Sequence, residues 1–100
     1  MVIATIVSKP DKVDIVEKYM KVVQKRANSD EEPGTFTYRV TRRVDAHGNH
    51  LPVFIIIEEY AGAAGMLIHA EAAPLSEFLK AAKEQDLLEE APTIDYLDEL

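Results

Sequence analysis

The feature that most limits what this chain can become is a strand with two apolar faces. From Val53 to Tyr60 it reads Val-Phe-Ile-Ile-Ile-Glu-Glu-Tyr, which places Phe54, Ile56, Glu58 and Tyr60 on one side and Val53, Ile55 and Ile57 on the other. One layer of helices covers one face only. The second face must meet another sheet or another subunit. A chain of 100 residues is one domain, and a domain of this size buries roughly 60–70% of the surface its unfolded form exposes. Pairing with a second copy buries more, so the expectation is a homodimer.

The remaining elements follow from punctuation and periodicity. Val2 to Val7 is rich in β-branched residues and stops at Ser8-Lys9-Pro10-Asp11, where proline and aspartate suit a helix start. A helix is expected from Asp11 to about Arg26, with Val13, Val16, Tyr19, Met20 and Val23 on its packing face. Asn28 to Gly34 is polar and ends in Pro33-Gly34, which favours a turn. Thr35 to Arg43 alternates as a strand, with Phe36, Tyr38 and Val40 facing one way. Asp45 to His50 is a turn, and Pro52 limits ladder pairing where the next strand begins.

Ala61 to Ala72 reads as a short helix weakened by Gly62 and Gly65, and Pro74 opens another from Leu75 to about Glu84. Leu75, Phe78, Leu79 and Ala82 are expected inward. After the acidic stretch Glu84 to Glu90, Pro92 to Leu97 is a closing strand. The order β-α-β-β-α-α-β describes an α+β domain of split βαβ type, one antiparallel four-stranded sheet with helices on one face.

Charge and composition remove several function classes. Eighteen acidic against eleven basic residues give a net charge of −7, which repels phosphate backbones, so no nucleic-acid partner is expected. The absence of cysteine excludes a disulfide framework, a thiolate nucleophile and Cys-ligated metals. The first residues form no basic leader, and no apolar run approaches the ~20 residues of a membrane span. A cytoplasmic protein with no membrane partner is therefore expected, and Leu97-Asp98-Glu99-Leu100 is read as a chance likeness to a retention tail. Asp45, His47 and His50 on a turn make a poor metal site, and no metal is expected. Arg39, Arg42 and Arg43 suit pairing across a dimer better than binding an anion.

Glu58, Tyr60 and His69 stand out because polar, titratable groups at the end of a buried strand are costly unless satisfied. They mark either a structural hydrogen-bond pair or a pocket. Both readings stay open at this point, as does a purely core role for Tyr38 and Tyr60.

Several of these residues, in this order and spacing, resemble the antibiotic-biosynthesis-monooxygenase-type domains. They are Glu32-Pro33-Gly34 before the second strand, Tyr38 within it, Phe54 through Glu58-x-Tyr60 in the third, His69 eleven residues after Glu58, and Phe78. The resemblance spans nearly the whole chain. It implies a ferredoxin-like fold whose sheets pair in a dimeric α+β barrel. Two positions depart from the family pattern, Gly62 where an acidic residue or serine is usual and Gly65 where alanine is usual, so the helix start is expected to be less well capped. The family includes cofactor-independent oxygenases of anthrones and quinols, isomerases of small metabolites and heme-degrading enzymes. The absence of tryptophan weighs against the heme-degrading branch.

Triplet oxygen reacts sluggishly with closed-shell organics, but an electron-rich phenolate or enolate gives it an electron directly. An oxygenase without a cofactor then needs a base and a dry pocket. Histidine is the side chain suited to that deprotonation near neutral pH, which makes His69 the candidate base and Glu58 the candidate group that orients it. Tyr38 and Tyr60 are candidates to hydrogen-bond a substrate oxygen, and Phe36, Phe54, Met66 and Phe78 to wall an aromatic ring. The reading is a monooxygenase of an aromatic phenol, anthrone or quinol-like metabolite with no bound cofactor. An oxygen-independent lyase or isomerase, and a non-catalytic dimer binding a hydrophobic metabolite, remain the alternatives.

Overall fold

The computed structural model describes residues 1–100. Its elements are β1 (Val2–Val7), α1 (Val13–Ala27), β2 (Thr35–Val44), β3 (His50–Tyr60), α2 (Gly62–Ala70), α3 (Ala73–Glu84) and β4 (Thr93–Tyr96). This is the expected order. The four strands form one antiparallel sheet in the order β2-β3-β1-β4, so the fold is α+β and ferredoxin-like.

Alternation along β1 buries Val2, Ala4 and Ile6 beneath the helices and leaves Ile3, Thr5 and Val7 partly exposed on the opposite face. In β3, Phe54 and Ile56 are fully buried, whereas Ile55 and Ile57 stay half-buried. The core joins these inward residues to Val16, Met20, Val23 and Ala27 of α1, to Phe78 and Ala81 of α3, and to Leu87. Tyr19 and Phe78 pack ring to ring with centroids 5.8 Å apart, tying α1 to α3.

Several boundaries shift for identifiable reasons. Pro10–Lys12 forms a single tight 3₁₀ turn, closed by the Lys12 N–H donating to the Lys9 carbonyl at 2.9 Å, so α1 begins at Val13 rather than Asp11. Strand β3 starts at His50, three residues before Val53. The ladder goes from Arg42–Phe54 to Val44–His50, four residues of β3 opposing two of β2, and Pro52 sits within this irregularity, where its missing N–H interrupts no regular pairing. Helix α3 takes Ala73 and Pro74 into its first turn. Leu79, expected inward, is largely exposed, and Ala81 takes the buried position.

A second irregularity overturns the expected position of Phe36. Thr35 pairs with Tyr60 and Thr37 with Glu59, so two steps along β2 match one along β3. The extra residue of such a bulge leaves the alternation. Phe36 is 71% exposed as a result, while Tyr38, which resumes the ladder opposite Glu58, is buried beneath the helices.

The acidic stretch after α3 is not merely a solvated surface. Leu87 is fully buried, the Lys9 N–H donates to its carbonyl at 2.9 Å, and the Glu89 N–H donates to the Val7 carbonyl at 2.9 Å. Lys9 and Asp86 add an ion pair beside this seam. The acids stay in water because one leucine holds the segment down.

Candidate functional site

The site lies where β2 and β3 carry Tyr38, Glu58 and Tyr60 toward α2. Tyr38 and Glu58 are register partners on adjacent strands, and Tyr60 follows on the same face of β3. Helix α2 brings His69 over them in its last turn. The His69 ring lies 4.8 Å from the Tyr38 ring and 5.7 Å from the Tyr60 ring, centroid to centroid, and is tilted to both.

Two glycines set that helix in place. A Cβ on Gly65 would lie 2.5 Å from the Gly34 carbonyl oxygen, and one on Gly34 would lie 2.4 Å from the Gly65 Cα. The loop before β2 therefore rests backbone to backbone on α2, closer than any side chain permits. Gly62 at the helix start has φ +71°, and the N-cap Ala61 offers no side-chain bond, as expected of a poorly capped start. The Ala61 N–H instead donates to the Gly34 carbonyl at 2.7 Å, which binds the helix entry to the same loop.

That loop delivers the partner of His69, and it is not Glu58. Glu32 is 1% exposed and its Oε1 lies 2.7 Å from His69 Nδ1. An ionised carboxylate only accepts, so with Glu32 in that form Nδ1–H donates and a neutral ring carries its lone pair on Nε2. The second oxygen, Oε2, faces the guanidinium of Arg26 with Nε 3.7 Å away, and neither of these two atoms has a hydrogen-bond partner. Arg26 Nη1 reaches Glu31 at 2.7 Å, and Ser29 Oγ donates to the Arg26 carbonyl at 2.6 Å and accepts from the Glu31 N–H at 3.2 Å. The loop is thus braced on its outer side so that Glu32 turns inward.

Glu58 accepts a short hydrogen bond from the Tyr60 hydroxyl instead. Burial pushes its carboxyl above the ordinary glutamate value, with the Tyr60 hydroxyl and the nearby His69 acting in the opposite direction. Burial also raises both tyrosines well above the usual phenol value, and the carboxylates Glu58 and Glu32 push further in that direction. Tyr38 and Tyr60 therefore stay neutral and do not serve as phenolate bases; Tyr60 donates to Glu58.

A testable pH dependence follows. A carboxyl raised in the folded state contributes stability that is fully present below its unfolded value, ordinarily 4.5, and lost as pH rises through the folded value. Glu58→Gln keeps an acceptor for Tyr60 and removes the titration. The melting temperature of this variant should exceed that of the parent at pH 7–8 and converge with it near pH 4. A difference independent of pH would assign the burial cost to something other than this carboxyl.

Between the sheet and helices α2 and α3 lies a cavity of about 200 Å³. Glu58, Tyr38, Tyr60 and His69 form one polar end, and Met66, Leu75, Phe78 and Ile94 contribute to the apolar remainder. Two expected ring-wall residues are not there. Phe36 is turned out by the bulge, and Phe54 is fully buried in the core with the Arg42 guanidinium 5.0 Å above its ring, an arrangement that Arg42 supports by pairing with Glu17 at 3.6 Å. The lining also includes Ile94 and Tyr96, not singled out from the sequence, and Met20, expected only as a core residue of α1. Asp45 caps its own turn by accepting from the His47 and Asn49 N–H groups at 2.8 and 3.0 Å.

No protein-family model matches the chain, and no curated protein matches it. Solved structures do. A Nitrosomonas europaea protein described as a candidate antibiotic biosynthesis monooxygenase superposes with a TM-score of 0.82 at 17% identity, covering 99% of this chain and 96% of that one. A Caulobacter crescentus protein described in the same way is 26% identical with a TM-score of 0.79, over 99% of this chain and 87% of its own. A third, described as an antibiotic biosynthesis monooxygenase, is 22% identical with a TM-score of 0.80, over 99% and 96%. These three neighbours are thus described as antibiotic biosynthesis monooxygenases or candidates for that activity, and the chain shares their fold along nearly its whole length.

Proposed function

With that shared fold as the premise, we propose that this protein is a cofactor-independent monooxygenase of an aromatic phenol, anthrone or quinol-like metabolite. One observation carries the reading: His69 walls an apolar cavity with its Nδ1 2.7 Å from the buried Glu32 carboxyl, a pairing that supports a proton on Nδ1 and a basic lone pair on Nε2. Nε2 takes the phenolic or enolic proton, and Glu32 stabilises the imidazolium so formed. The resulting anion transfers one electron to oxygen, the radical and superoxide combine to a peroxide anion, and the His69 imidazolium returns its proton to give the hydroperoxide. For an anthrone, loss of water then converts the methylene to a carbonyl, one oxygen atom entering the product and the other leaving as water. Apolar walls keep bulk water from the anion.

A second reading has its own support. The Glu58–Tyr60 pair shares the polar end with His69, which offers a proton donor beside a base and suits an isomerase or lyase acting on an enolisable substrate without oxygen. The test is oxygen uptake and product formation with a panel of anthrones and substituted hydroquinones, against buffer and against His69→Ala. We expect uptake well above spontaneous autoxidation in the parent and a fall of about 10²-fold or more in the variant. Turnover without oxygen uptake selects the isomerase or lyase, and binding with no product selects a non-catalytic carrier.

The half-buried Ile3, Ile55 and Ile57 on the free face of the sheet support the pairing of two copies through that face. Sedimentation should give a dimer at micromolar concentration. A stable monomer would remove this part of the proposal without touching the chemistry.

A further inference from the structure

We propose that the site has a second, apolar subsite, and that it takes a hydrocarbon chain attached to the ring held in the main cavity. The proposal rests on the reading of the cavity as the ring site. Val2, Tyr60, Met66 and Tyr96 line the main cavity and also a neighbouring groove of about 340 Å³, so the two adjoin across these four side chains. One ligand can therefore occupy both.

The groove runs between the start of β1, the end of β4 and the first turn of α2, where Ala63 and Leu97 complete its walls. No charged side chain lines it. Its rim is built rather than loose, because the Leu97 N–H donates to the Met1 carbonyl at 2.8 Å and the Met1 amino group to the Leu97 carbonyl at 3.1 Å. A Cβ placed on Gly62 would meet nothing within 4 Å, so the space over the helix entry is open. Met1, Tyr96 and Leu97 leave large apolar surface exposed there, the kind of concentrated exposure that marks a binding site.

The chemistry of the occupant follows from what the groove lacks. Tyr60 stands between the two parts with its hydroxyl bonded to Glu58, and the Met1 amino group is bonded to the Leu97 carbonyl at the rim, so a ligand that extends along the side chains of the groove gains chiefly from burying CH₂ groups. A ring with a single alkyl or isoprenoid substituent fits both parts, with its hydroxyl toward His69 and Glu58.

Titration calorimetry under argon with 5-alkylresorcinols, from methyl to pentyl, tests this without requiring turnover. Affinity should rise roughly threefold per added methylene, the effect of burying most of each group at ~0.8 kcal/mol. Ala63→Trp, which fills the groove from an exposed helix position, should compress the series to within about twofold. Leu97→Asp, which charges the opposite wall, should do the same. A rising series flattened by both substitutions supports the subsite even if no oxygen uptake is ever found. A flat series in the parent overturns it even if oxygen uptake is rapid, and is the result expected if a second copy or the chain's own Asp98–Leu100 segment covers the groove. A rising series untouched by both substitutions also overturns it, since the chain then lies elsewhere.

Discussion

Replacing Glu32 with alanine should lower kcat/KM for the oxidised substrate by about 10²–10⁴-fold, the range ascribed to a positioned proton acceptor. Glu32 touches no substrate, so the loss would come through His69. Without the carboxylate, Nδ1 has no acceptor, the two tautomers of the neutral ring compete, and the imidazolium formed on proton transfer loses its counter-charge. Leaving a buried Nδ1–H unpaired also costs about 1–3 kcal/mol of stability. Glu32→Gln separates the two effects. Its amide oxygen still accepts from Nδ1–H and keeps the tautomer, while the negative charge is gone. Ring ¹⁵N shifts of His69 should show the Nδ1–H tautomer in the parent and the glutamine variant and a mixture in the alanine variant. An alanine variant with parental kcat/KM and an unchanged tautomer would deny Glu32 this role.

Gly65→Ala should be, with Gly34→Ala, among the most damaging single-methyl changes in the protein. The added Cβ would stand 2.5 Å from the Gly34 carbonyl oxygen and 3.0 Å from its Cα, and both neighbours are backbone, which cannot turn aside as a side chain can. Overpacking of this kind costs about 1–3 kcal/mol, and for a domain of this size each kcal/mol lowers the melting temperature by about 4–8 °C. Alanine's better helix propensity, worth up to ~1 kcal/mol over glycine, offsets part of this. The clash has a second consequence, since relief requires the loop to lift from α2. Glu32 rides on that loop and His69 on that helix, so their 2.7 Å bond should lengthen. The variant should lose activity beyond what its unfolded fraction explains. Thermal melting and the His69 ring shifts check the two parts separately, and a variant as stable as the parent would mean the loop moves at little cost.

The elements were legible in the sequence because they follow from period and punctuation. The heptad-like stripe of α1, the two-sided apolar run of β3 and the breaks at Pro33-Gly34 and Pro74 each have one reading. The site was legible only in part. His69, Glu58, Tyr38, Tyr60, Met66 and Phe78 come together around one cavity, because alternation along a strand and spacing along a helix carry side-chain direction. Glu31 and Glu32 have the same chemistry and adjacent places in one turn, yet Arg26 and Ser29 hold the first outward and send the second into the interior. No periodicity operates in a turn to separate them. Phe36 failed for a related reason, since a bulge changes the count of residues and leaves no mark in composition. Phe54 keeps its expected face but lies farther along the strand, under Arg42, where the cavity does not reach.

Strand β1 lies inside the sheet, with β3 on one side and β4 on the other. Val2 pairs with both Glu58 and Tyr96, so the first of these four strands to be made waits for partners made later, β3 and then β4. Loop-closure entropy makes such distant pairing slow. During synthesis β3 can dock early, while the β4 side of β1 stays an open edge bearing unpaired N–H and C=O groups. For that interval the nascent chain presents the adhesive border that the finished sheet conceals, and its exposure to aggregation is set by how quickly four residues, Thr93–Tyr96, arrive to close it.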